Sequence, residues 1–435
     1  MTRRNSPLTL LPVSWNFRDS FAALHHRNFR LFVIGQFISL IGFWMQNVGQ
    51  SWLVYRLTHS AWYLGAITFS QQIPILLISF AAGGIIDRAN RRRVIILTQT
   101  LALIQASILA YLTYTGRIQI SQLFVLSAFI GAVSAFDLPA RQSFLVQMVG
   151  KDDLVNAIAM NSSMFNAARM VGPAIAGLVI ARWGESVCFF LNAVSYVAVL
   201  ISLFLMKIQY SADPVRKQSL LNDLAEGFHY VRETKPIRVL LRTVGLFGIA
   251  GFPYIVLLPI FADSIFHRGA SGLGILSTAV GVGALIGAFF LAGRKGIHGI
   301  GRVISFATFG FSISLFFFGI STLFWLSFVL LSFAGIFMMT SVASINTAIQ
   351  SMIPDFLRGR VMSLFTTMLI GTAPVGSLIA GTIAKYFGAR TTITTMSLCC
   401  LAAAFWFYRS LPGITSEARR LYQMQHPTPI VETQN

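Results

Sequence analysis

Gly83-Gly84-Ile85-Ile86-Asp87-Arg88-Ala89-Asn90-Arg91-Arg92-Arg93 closes a stretch, 61–86, that contains no Asp, Glu, Lys or Arg. A hydrocarbon core of ~30 Å takes ~20 apolar residues as helix. The stretch is therefore predicted to span a membrane, with the arginines behind it as its anchor at one surface. Equally charge-free runs occupy 31–55, 94–116, 118–136, 186–206, 243–262, 269–293, 361–384 and 391–408, and 154–181 is interrupted only by Arg169. The run 303–354 is long enough for two spans and divides near 319–322. An all-α membrane protein of twelve helices follows from these runs.

Of 435 residues, 55% are hydrophobic and 11% charged, against about a quarter charged in a soluble domain. A soluble enzyme and a disordered chain are both excluded. The formal net charge of +19 sits in short clusters between apolar runs, with no continuous basic face. That suits a membrane surface and not nucleic acid. With the N-terminus inside, 25 lysines and arginines fall in cytoplasmic segments and 6 outside, so both termini are expected in the cytoplasm. The expected division is a 1–28 N-terminal segment, a 29–206 six-helix bundle, a 207–236 linker, a 237–408 six-helix bundle and a 409–435 tail. Leu220, Leu221, Leu224, Phe228 and Val231 lie at helical spacing among Asp223, Glu226 and Arg232, the pattern of an amphipathic linker helix. There is no P-loop, and the histidines form no metal-ligand cluster. Cys188, Cys399 and Cys400 lie in apolar runs and are read as reduced core or lipid-facing residues. No cofactor, metal or catalytic site is expected.

The two bundles repeat each other at a constant offset of 204 residues. Met148 falls on Met352, Met164 on Met368, Val171-Gly172 on Val375-Gly376, Ile175-Ala176-Gly177 on Ile379-Ala380-Gly381 and Gly184 on Gly388. The fourth helix then maps on the tenth and the fifth on the eleventh. Two such halves, the twelve spans and the 83–93 motif together resemble the major facilitator superfamily, whose halves are related by an axis along the membrane normal. In that signature Gly83 and Gly84 let a neighbouring helix approach, Arg88, Arg91 and Arg92 form the basic loop, and Asp87 meets the start of the eleventh helix near Gly359. Asn90 stands where glycine is usual and is read as a left-handed turn residue. Gly172-Pro173 with Gly177 resembles the Gly-Pro motif of exporters in this superfamily. It implies a tight contact with the eighth helix, where Gly281, Gly283 and Gly287 offer a small face. Phe136-Asp137-Leu138-Pro139-Ala140-Arg141-Gln142, Asn166-Ala167-Ala168-Arg169 and Leu258-Pro259-Ile260-Phe261-Ala262-Asp263, with Gly272-Leu273-Gly274 behind the last, narrow the resemblance. They are similar to the branch that holds the enterobactin exporter and macrolide-efflux relatives, of the transmembrane secretion effector type.

The resemblance implies a transporter of the inner membrane, working as a monomer among membrane lipids by alternating access. Its small-molecule cargo would be a siderophore or a drug-like metabolite, exported in exchange for protons. An importer on the same fold is the first alternative, and a non-transporting sensor or assembly factor the second. Polar residues within spans tend to face the bundle interior. By analogy with the family, Gln46, Gln50 and Asn346 are candidates for the central cavity, with bonding between helices as the competing role. Asp137, read as lying at the cytoplasmic rim, has two candidate partners: Arg91, as an inner gate, or Arg141 one turn on. Arg169, deep in the fifth helix, needs something to offset its burial. Asp263, carbonyls freed by Pro173, or an anionic substrate are the options.

Overall fold

The computed structural model describes residues 19–86, 88–150, 152–207, 220–293 and 299–425. Twelve helices are long and apolar enough to cross a membrane, and no strand occurs among the described residues. Helices one to six run Arg27–Thr58, Ala61–Ile86, Arg91–Tyr114, Ile120–Val149, Leu154–Trp183 and Glu185–Leu205. Helix seven is discontinuous: Lys235–Ala250, then Tyr254–Ile260 and one wide turn at Phe261–Ile265. Helices eight to ten run Gly269–Ala292, Ile300–Ile320 and Phe324–Met352. Helix eleven breaks at Gly371 into Asp355–Ile370 and Thr372–Phe387, and helix twelve is Ala389–Ser410. A linker helix, Leu220–Glu233, and a C-terminal helix, Pro412–Gln425, pack on the second half, where Glu226 pairs with Arg360. The face on which helix one begins and helix twelve ends is called the terminal face below, and the other the distal face.

Local chemistry sets the turns. Asn90 has φ −69° and ψ 105°, and its side chain accepts a hydrogen bond from the Arg93 amide at 3.2 Å. It is an N-cap for helix three, not the left-handed turn residue expected from the motif. Gly184 and Gly388, equivalent in the repeat, both have φ +83° and join helix five to six and helix eleven to twelve. The close of helix six is held by the first half's own donors. The Arg92 guanidinium donates to the Leu203 and Phe204 carbonyls, Arg27 to Leu205, and the Asn28 amide to Lys207. These side chains satisfy carbonyls that a helix end leaves orphaned.

The packing obeys the repeat. Helix one packs on five and six, two on four, and three on four and six; adding six to each number gives the contacts of the second half. The two halves meet through helices five and eight and through two and eleven, which are themselves equivalent pairs. One apolar core crosses between the halves on the distal side, from Leu53, Leu64 and Ile180 to Phe261, Leu273 and Ala384. Toward the terminal face it divides. Phe32, Ile95 and Phe144 belong to a core of the first half, and Leu240, Ile349 and Val361 to a separate one of the second.

Candidate functional site

Small residues set how closely the halves approach. A Cβ placed on Gly274 of helix eight would stand 2.7 Å from the Gly177 Cα and 2.7 Å from the Pro173 carbonyl oxygen of helix five. A Cβ on Gly381 of helix eleven would stand 2.6 Å from the Ala61 carbonyl oxygen of helix two. These are backbone-to-backbone contacts, possible only without side chains. Gly172, one turn before Gly177, lies against Trp44 and Ile41 of helix one, and its repeat mate Gly376 lies against Ile249 and Pro253 of helix seven. Of the three helix-eight glycines read as facing helix five, only Gly281 does so, beside Arg169 and Met170. Gly283 and Gly287 face helix ten. Gly274 is the partner of Gly177 that the sequence reading missed.

The terminal ends are the reverse. Among the described residues nothing lies within 4 Å of a Cβ placed on Gly83, Gly84 or Gly359, so no described residue makes the close approach expected at the first two. Asp87 lies outside the described residues, and Arg88 is exposed. Arg92 caps helix six rather than reaching across to the other half. Asn346 is half-buried on helix ten and accepts a hydrogen bond from the exposed Gln350 at 2.9 Å.

Asp137 is not at the rim. Helix four continues from it for three more turns, to Val149. The carboxylate is buried and level with helix-three residues two turns beyond Arg91. Thr98 Oγ1 donates to it at 2.7 Å, Gln99 Nε2 at 2.9 Å, and Arg141 Nη2 pairs with it at 2.6 Å. Reading a charge as the end of a span misplaced it: a carboxylate with these donors is tolerated inside a bundle.

Gln46 and Gln50 are also corrected. Both are buried within the first half. Gln46 donates to Gln105 Oε1 of helix three at 3.2 Å and accepts from Asn192 Nδ2 of helix six at 2.7 Å, while Gln50 donates to Ser127 Oγ of helix four at 2.9 Å. Their amides tie helices together and do not line an open cavity.

Arg169 lies at the middle of helix five and is half-buried. Its guanidinium carbon sits 5.6 Å from the centre of the Trp44 ring, within reach of a cation–π contact. No carboxylate lies within ion-pair distance of it among the described residues, Asp263 included. Tyr254, which opens the second segment of broken helix seven, is buried and meets Phe311 of helix nine edge to face at 6.2 Å. The Tyr254 hydroxyl and the Trp44 indole nitrogen are both buried without a hydrogen-bond partner among the described residues. Phe165 meets Trp44 edge to face at 5.6 Å and is 41% exposed on the terminal side. Arg169 was legible as an isolated charge in an apolar run; Tyr254 carried no sequence signal beyond following Gly251 and Pro253.

A family model described as "Transmembrane secretion effector" matches residues 18–434. The staphyloferrin A transporter of Staphylococcus aureus is 29% identical over 389 residues, which cover 87% of this chain and 95% of that protein. The enterobactin exporter EntS of Escherichia coli O1:K1 is 23% identical over 82% of this chain and 85% of its own. Among solved structures, a bacterial homologue of the human lysosomal transporter Spinster superposes with a TM-score of 0.69 at 14% identity, covering 92% of this chain and 98% of that one. The last likeness is one of fold.

Proposed function

Because the chain belongs to the transmembrane secretion effector family of major facilitator transporters, we propose that it exports a small organic molecule by alternating access. The chain is a multi-pass membrane transporter and not an enzyme. The finer reading is a siderophore or drug-like cargo, carried out across the inner membrane in exchange for protons. One observation carries it. The halves touch at backbone distance on the distal side, and toward the terminal face their apolar cores are separate. With the terminal face in the cytoplasm, as the cation distribution predicts, this is an inward-open carrier. The exporter among its relatives and the engagement of Gly177 with helix eight support outward movement.

The test has two stages. Culture medium and cell extracts, with and without the protein under iron limitation, are compared for the metabolite that moves. Energised inside-out vesicles then take up that metabolite, and uptake stops when the pH gradient is collapsed. Filling of right-side-out vesicles instead would make the protein an importer.

A further inference from the structure

Helices three and six pack within the first half, and on the distal side they do not close on each other. A groove of about 610 Å³ runs between them, from Leu103 and Val197 at mid-span to Tyr114 and Ser186 at the distal end. The buried Ala110 and Ala193 form its floor, and the exposed Tyr111, Phe190 and Val194 form its walls. Small residues below and large ones at the rims make the hollow. In the second half the matching place is closed. Thr394, the repeat mate of Phe190, packs on Gly319 of helix nine, where a Cβ would stand 2.7 Å from the threonine hydroxyl. The hollow is thus set by side chains and not demanded by the repeat.

Its dimensions match one leaflet. Leu103 and Tyr114 are eleven residues apart, which is ~16 Å along a helix, against ~15 Å for half of a ~30 Å hydrocarbon core. Tyr114, 82% exposed at the outer end, stands where tyrosines meet headgroups. The lining is apolar apart from the hydroxyls of Ser107, Ser186 and the tyrosines. Water does not suit such a groove, because an ordered water needs several polar partners. Chain methylenes do, since they supply the close contacts that apolar walls otherwise forgo. Arg117, three residues beyond Tyr114, is exposed and makes no side-chain hydrogen bond or ion pair among the described residues.

We infer that the groove takes a phospholipid of the distal leaflet. One acyl chain lies between helices three and six, and the phosphodiester meets Arg117 at the mouth, where a guanidinium can donate to two phosphate oxygens at once. A smooth helix surface lets lipid chains slide past; a hollow of leaflet depth with a cation at its mouth holds one in register.

Photolabelling of the full chain in lipid nanodiscs tests this. The probes are phosphatidylglycerol with a diazirine at mid-chain and diacylglycerol with the same chains. The phospholipid should label 103–114 and 186–197 in excess of the other exposed spans, and the diacylglycerol should label them about five-fold less, the worth of one cation near a lipid surface. Ser107→Phe and Val194→Phe, each filling the groove from one helix, should remove the excess. Ile108→Phe, exposed on helix three outside the groove, should leave it. Arg117→Gln should lower the phospholipid to the diacylglycerol level. Even labelling of all exposed spans overturns the inference, as does equal labelling by the two probes or an excess that survives both filled grooves. Two chains per disc with the groove unlabelled would place a second copy there and overturn it as well. If one filled variant does not fold, the other and the wild-type comparison decide.

Discussion

Gly274→Ala is the most direct test of the distal closure. The new methyl would meet the Gly177 Cα and the Pro173 carbonyl oxygen, both at 2.7 Å. Neither is the end of a flexible side chain, so helices five and eight must move apart. Overpacking of this kind costs about 1–3 kcal/mol. The cost falls only on the state in which the distal ends touch. A coupling of that size shifts the balance between the two states by about 5- to 150-fold. Spin labels at Arg117 and Tyr386, exposed on the distal face of opposite halves, and at Gln142 and Arg358, exposed toward the terminal face, report the two separations. Gly274→Ala should lengthen the first distance and shorten the second. Gly359→Ala is the counterpart: its methyl meets no described residue within 4 Å in the present state, so it should leave both distances where they are. A folded Gly274→Ala protein with an unchanged distal distance would refute the argument that the glycine contact sets the state.

Other perturbations follow from the same structure. Gly184→Ala and Gly388→Ala each place a side chain at φ +83°, in a region almost confined to glycine, and should each lower stability by about 1–3 kcal/mol in thermal melts. Asp137→Ala leaves the largely buried Arg141 without its carboxylate, and should destabilise by about 3 kcal/mol; Asp137→Asn should do less. In a double-mutant cycle Asp137→Ala and Arg141→Ala should be strongly non-additive, and strictly additive transport losses for Asp137→Ala with Arg91→Ala would remove the inner-gate role of Arg91. Cysteines at 117 and 182 should react with an impermeant reagent in intact spheroplasts; protection of both would reverse the orientation.

The helices themselves were legible, because a membrane leaves a chain few ways to satisfy its backbone. Charge-free runs therefore located all twelve. Breaks inside the runs were harder. Gly251 and Pro253 sit in plain view within 243–262, yet glycine and proline are common in membrane helices, so their presence did not reveal that helix seven divides there. Asp137 and Arg141 misled for a related reason: each looks like the end of a span, and their mutual pairing, with Thr98 and Gln99 donating to the carboxylate, allows helix four to run on past both. The direction of a polar face was the least legible. Gln46 joins an interior hydrogen-bond network and Arg169 stands over the Trp44 ring, and the same helical spacing serves either. Gly274 is one of many glycines on helix eight, and only the shape of helix five singles it out.

The distal seal is held by dispersion, between backbones at the glycines and between the apolar side chains around them, with a Tyr55–Ser264 hydrogen bond of 2.6 Å beside it. Such attraction is short in range, and a gap of about 1 Å forfeits roughly half of it. The seal therefore has no stable half-open position: it is shut or it has parted. Charged bridges would stretch gradually, admit water and weaken with salt. A glycine seam of this kind keeps the permeability barrier intact until the moment of turnover, so that the ion gradients of the cell are not drained through a carrier standing idle.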